Sequence, residues 1–131
     1  MTVWSGDIGY DFKALKSQII AGLNASMSGL PFWTNDIGGF QGGDPWDPAY
    51  RELYIRWFQY GAFCPLFRVH GSRGATCFED LLFGISRGDN ELWSFGEEAE
   101  KIMAEYDRLR YRLLPYIYSC ARLTFEKGIP V

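Results

Sequence analysis

Short apolar runs closed by polar turns recur in this chain at the spacing of one strand-plus-helix unit, and this pattern limits the fold more than any other feature. Asp7, Asp36 and His70 each stand just after such a run, 29 and 34 residues apart. Spacings of this length exclude hairpins and leave room for a helical crossover between parallel strands. The runs are Met1 to Trp4, Leu30 to Trp33 and Pro65 to Val69. Between the first two, Asp11 is placed to cap a helix that ends near Ser26, with Gly29 at its exit. Its apolar positions Leu15, Ile19, Ile20 and Leu23 oppose Lys13, Lys16, Ser17 and Gln18. After the second run, Asp47-Pro48 is a strong helix start, and Leu53, Tyr54, Trp57 and Phe58 give the next helix a broad apolar face. The residues from His70 to about Asn90 are glycine-rich and aperiodic, which predicts a loop. A helix is predicted over Glu97 to Lys127, with Ile102, Met103, Tyr106, Leu109, Leu113 and Leu114 on one side and a break or kink at Pro115.

Strands alternating with helices, with polar turns at the strand carboxyl ends, predict an α/β fold with parallel strands. Asp7, Asp36 and His70 then converge on one rim. In a (β/α)8 TIM barrel that rim carries the active site, and an open doubly wound sheet also binds ligands there. A complete barrel needs about 250 residues, whereas this chain has 131. About three βα units would leave open sheet edges. The expectation is one partial barrel domain over residues 1–131, a fragment of a longer chain whose upstream barrel half is its natural partner.

Other classes are disfavoured by composition. A net charge of −3 and a pI near 5.1 offer no basic field for nucleic acid. No segment is apolar enough to span a bilayer, and no targeting signal is present, so compartment is left open. Cys64, Cys77 and Cys120 lack metal-ligand spacing and are expected to be reduced thiols. No metal or organic cofactor is implied. Aromatic residues reach 18% beside 15 glycines, a combination that suits both sugar-binding clefts and apolar cores.

Six motifs occur in order: Trp4-Ser5-Gly6-Asp7, Trp33-Thr34-Asn35-Asp36-Ile37-Gly38-Gly39-Phe40, Arg56-Trp57-Phe58-Gln59, Phe67-Arg68-Val69-His70-Gly71, Glu91-Leu92-Trp93-Ser94-Phe95-Gly96 and Arg110-Tyr111-Arg112-Leu113-Leu114-Pro115-Tyr116-Ile117-Tyr118. Together they resemble the carboxyl-terminal part of the catalytic barrel of glycoside hydrolase family 31. The resemblance covers nearly the whole chain. It implies retaining hydrolysis of α-linked glucosides or xylosides in oligosaccharides.

The resemblance also implies a role for each matching residue. Asp7 matches the general acid/base, a task that calls for a carboxyl pKa raised by burial or by a neighbouring negative charge. As a strand-end aspartate it would otherwise serve a turn or cap. Trp4 matches a tryptophan that shapes the sugar subsite, and Asp36 an aspartate near it. Phe40 matches an aromatic wall of the glycone pocket, and His70 a histidine that hydrogen-bonds sugar hydroxyls. Arg68 is placed to pair with a carboxylate and support the rim. Trp57, Trp93, Tyr111, Tyr116 and Tyr118 are expected to be packing residues.

A retaining glycosidase needs a second carboxylate about 5–5.5 Å from the first. In the family it precedes the Trp-Ser-Gly-Asp motif, as does an arginine of the site, so the 131-residue chain alone is expected to be inactive. Phe32-Trp33-Thr34 and Gly71-Ser72 look more like the α-xylosidase branch than the α-glucosidase branch. The stretch Arg73 to Asn90 is expected to be a lineage-specific loop over the cleft. An α-glucosidase parent, a non-catalytic sugar-binding module that uses Trp4, Phe40 and His70, and a purely structural fragment of the barrel are the alternatives.

Overall fold

A computed structural model describes residues 1–73 and 89–131. Strand β1 is Thr2–Trp4 and β2 is Phe32–Thr34. They pair in parallel, with Thr2 opposite Phe32, Val3 opposite Trp33 and Trp4 opposite Thr34. The two strands therefore end level. Helix α1, Phe12–Met27, makes the crossover. The Asp11 side chain accepts a hydrogen bond from the Ala14 N–H at 2.6 Å, satisfying one of the amides that a helix start leaves free.

The buried side of α1 differs from the expected one. Leu15, Gln18 and Gly22 face inward, while Ile20 and Leu23 are exposed. Trp33 explains the placement of Gly22. A Cβ on that glycine would stand 2.9 Å from the Trp33 indole, so the helix can sit on β2 only where a side chain is missing.

Helix α2, Pro48–Gly61, starts where Asp47-Pro48 predicts, with the Asp47 carboxylate accepting from the Ala49 N–H at 3.0 Å. It supplies most of the core. Tyr50, Leu53, Tyr54, Ile55, Trp57 and Phe58 are all buried along it. After a short 3-10 turn at Leu92–Phe95, helix α3 runs over Glu97–Lys127. Its amino-terminal half brings Ala99 and Met103 to α2, and Phe95 stacks on Tyr54 at 3.9 Å between ring centroids.

Three expectations are corrected. Pro65 to Val69 forms no strand. The segment runs beside β2, since the Leu66 N–H reaches the Trp33 carbonyl at 3.4 Å, but Pro65 has no N–H to give and no ladder develops. A single parallel bridge between Gln41 and Ser72 appears further on. Second, Pro115 lies inside an uninterrupted α3. The carbonyl it leaves without an intrahelical donor belongs to Tyr111, which is exposed and reachable by water. Third, of the five aromatic residues expected to pack, only Trp57 does. Trp93, Tyr111, Tyr116 and Tyr118 are exposed.

Cys77 and most of the predicted cleft loop lie outside the described residues. Cys64 and Cys120 are free thiols. Among the described residues, no helix is long and apolar enough to cross a membrane.

Candidate active site

The level ends of β1 and β2 bring two loops together. Beyond β1, Gly6 has a φ of +76°, a left-handed turn suited to glycine, and the exposed side chain of Asp7 follows it. Trp4, the last residue of β1, is also exposed. The Ile8 carbonyl accepts the Phe40 N–H at 2.9 Å, so the Asp7 loop is tied directly to the loop beyond β2.

That second loop turns inward. Asn35, Asp36 and Ile37 are buried, with Asp36 at 0% exposure. The Asn35 side-chain oxygen Oδ1 accepts the Trp57 indole N–H, which anchors the loop to α2. Asp36 accepts a hydrogen bond and ion pair from Arg68 through Oδ1. Its other oxygen, Oδ2, is buried and without a hydrogen-bond partner among the described residues. An unpartnered buried carboxylate oxygen is costly, and it makes this position receptive to a further donor. The Arg68 side chain remains 40% exposed, so the pair has one dry and one wet member.

Phe40 and His70 form a second pair. Their ring centroids are 5.5 Å apart and tilted by 36°, giving a two-ring surface. His70 is exposed and Phe40 half-buried. A flat ring beside a hydrogen-bonding imidazole suits a sugar, which has apolar C–H faces and a hydroxyl edge. Trp33 is placed differently. It is buried against α1.

Two residues absent from the sequence-based candidates hold this loop from below. Arg73 is fully buried and donates from Nη1 to the Gly39 and Gly42 carbonyls at 2.7 and 3.1 Å. From Nη2 it donates to the Ile37 and His70 carbonyls at 2.6 and 3.4 Å. The Tyr50 hydroxyl donates to the Gly38 carbonyl at 3.0 Å. Burial pushes the Tyr50 phenol up to about 12, against the opposing pull of the Arg73 guanidinium. Tyr54 is raised for the same reason. Both phenols therefore stay neutral donors through the range in which proteins work. The available signal was an arginine following His70 by three positions, within a glycine-containing turn.

The loop can lie this close only as glycine. A Cβ at Gly39, whose φ is +85°, would stand 2.5 Å from the Gly9 carbonyl oxygen. At Gly43 it would stand 2.1 Å from the Tyr50 ring. Among the described residues, no group of three metal-ligating side chains occurs.

The glycosyl hydrolase family 31 TIM-barrel domain matches residues 1–120 of the chain. The chain belongs to this family. Its fold is thus that of a TIM-barrel domain, of which the described residues show one parallel strand pair and its helices. An α-xylosidase of Saccharolobus solfataricus is 46% identical over 98% of this chain and 16% of its own length. An uncharacterised family 31 glucosidase of Pseudescherichia vulneris is 56% identical over 53% of this chain and 13% of its own. Among solved structures, a family 31 α-xylosidase from a soil metagenome, complexed with xylose, superposes with a TM-score of 0.87 at 47% identity. That match covers 98% of this chain and 20% of the other. The chain thus spans a fifth or less of the length of these glycoside hydrolases.

Proposed function

We propose that the full-length protein carrying these residues hydrolyses α-glycosidic bonds in oligosaccharides with retention, and that its preferred glycone is α-linked xylose. In this reading residues 1–131 are about three βα units from the carboxyl-terminal part of the barrel. The observation that carries the reading is the shared rim: the Asp7 loop bonded to the Phe40 loop, with Phe40 against His70 and Asp36 against Arg68.

Asp7 is the general acid/base. It gives its proton to the leaving oxygen as the bond from that oxygen to the anomeric carbon breaks, while a carboxylate from outside these 131 residues attacks the anomeric carbon. The resulting glycosyl ester is then cleaved by water, from which Asp7 takes a proton. Trp4, Phe40 and His70 form the glycone wall. Asp36 faces the subsite from below, held by Arg68.

The xyloside preference is supported by the identity of 46% to the Saccharolobus α-xylosidase over nearly the whole chain. The 56% identity to a glucosidase over about half of it favours an α-glucoside as the second reading. Comparing kcat/KM on aryl α-xyloside and aryl α-glucoside decides between them. A ratio of about ten or more for xyloside, the discrimination expected from a small steric difference in a pocket, supports the first reading. A ratio below one replaces it with the second, and turnover of neither sugar removes both.

A further inference from the structure

We infer that Arg73 is the positioning residue of the glycone wall: one guanidinium fixes the loop that carries Phe40 and the segment that carries His70 as a single unit against the Asp7 loop. The inference rests on the reading of Phe40 and His70 as sugar-contacting residues, and it concerns a residue that contacts no sugar itself.

The geometry assigns the task to arginine. Four carbonyl oxygens, from Ile37, Gly39, Gly42 and His70, converge on two guanidinium nitrogens. They come from two segments about thirty residues apart in sequence. Buried carbonyls left without donors are costly, so the left-handed glycine loop needs a donor at its centre. A planar cation with several fixed N–H directions meets that need, and an ammonium on a flexible stem does not. The guanidinium carbon also lies 5.7 Å from the Tyr50 ring centroid and 5.6 Å from that of Tyr54. Two aromatic faces from α2 therefore support the cation from beneath.

Phe40 lies at the junction of these bonds. Its N–H goes to the Ile8 carbonyl at 2.9 Å and its C=O accepts the Ser72 N–H at 2.7 Å. The Gly42 N–H in turn donates to the Ser72 carbonyl at 2.9 Å. Phe40 is thus bonded to the Asp7 loop on one side and to the His70 segment on the other. The four carbonyls that Arg73 binds flank those bonds. Loss of the fork releases the Phe40–His70 pair, while the α2–α3 core keeps its own apolar contacts.

The test is Arg73→Lys in the full-length protein, read by amide hydrogen exchange and by competitive inhibition with free xylose and free glucose. The expected result is faster exchange at Phe40, Gly42 and Ser72 with α2 and α3 unchanged. The inhibition constant of the preferred sugar should rise roughly tenfold, and kcat/KM should fall on the order of 10- to 100-fold. Tyr50→Phe, which removes only the bond to Gly38, should give the same signature at smaller amplitude, and it decides the matter if Arg73→Lys does not fold. Unchanged exchange at those three amides overturns the inference. So does uniformly faster exchange with unaltered sugar affinity, the mark of a residue that only stabilises the fold. A wild-type protein that neither binds nor cleaves either sugar removes the functional reading, while the exchange data still report whether Arg73 holds the two segments together.

Discussion

Helix α2 and the carboxyl-terminal half of α3 are both rich in aromatic residues, yet they use them in opposite ways. On α2, Tyr50, Tyr54, Trp57 and Phe58 are buried and organise the core around Phe95 and Met103. On α3 beyond residue 110, Tyr111, Tyr116, Tyr118 and Phe125 are exposed. The difference lies in what each helix packs against. The core side of α2 faces the first half of α3 and the inward-turned loop beyond β2, whereas none of the four rings on the second half of α3 joins that core. Aromatic content by itself therefore does not identify a core. The rings on α2 carry a second duty, because Tyr50 and Tyr54 also support the loop beneath Phe40.

The largest difference between the two helices is expected at Trp57. Trp57→Ala leaves a cavity beside α2 and strands the Asn35 side chain that now accepts its indole N–H, so a loss of about 3–5 kcal/mol is expected in chemical denaturation. A loss below about 1 kcal/mol would place the core elsewhere. Alkaline titration gives a smaller effect. With Tyr50 at about 12 in the folded chain against 10.0 ordinarily, the unfolded chain releases this proton first. Stability is then fully retained below pH 10 and falls as pH rises toward 12, by roughly 1–3 kcal/mol from this residue. Tyr50→Phe should flatten that fall in pH-dependent denaturation curves, and an unchanged slope contradicts the burial of the phenol. The smallest effect belongs to α3. Tyr118→Ser in the 131-residue chain should change stability by no more than about 0.5 kcal/mol, and a larger loss in the same denaturation measurement would mean that this face is packed.

The sequence made some of these features legible and concealed others. Caps were readable because Asp11 and Asp47 act within their own turns, through local bonds that do not depend on tertiary context. The parallel pairing of β1 with β2 was readable from chain spacing. The Pro65 to Val69 segment misled because its β-prone residues follow a proline that starts no ladder. On α1, apolar periodicity pointed to Ile20 and Leu23, but the close approach to Trp33 selected the face that carries Gly22. At the rim, Asp7, Asp36 and His70 stood out because each follows a short apolar run, and Phe40 stood out only through the family resemblance. Arg73 did not, because its role depends on carbonyls more than thirty positions upstream, which no local pattern displays.

The proposed role of Asp7 as proton donor to the leaving group is tested by the leaving-group dependence of Asp7→Asn in the full-length protein. The rate of this variant should fall by orders of magnitude on an α-xylosyl disaccharide, whose leaving oxygen needs a proton. On 4-nitrophenyl α-xyloside, whose leaving group departs without one, the first step should be far less impaired. Equal loss on both substrates would contradict the assignment.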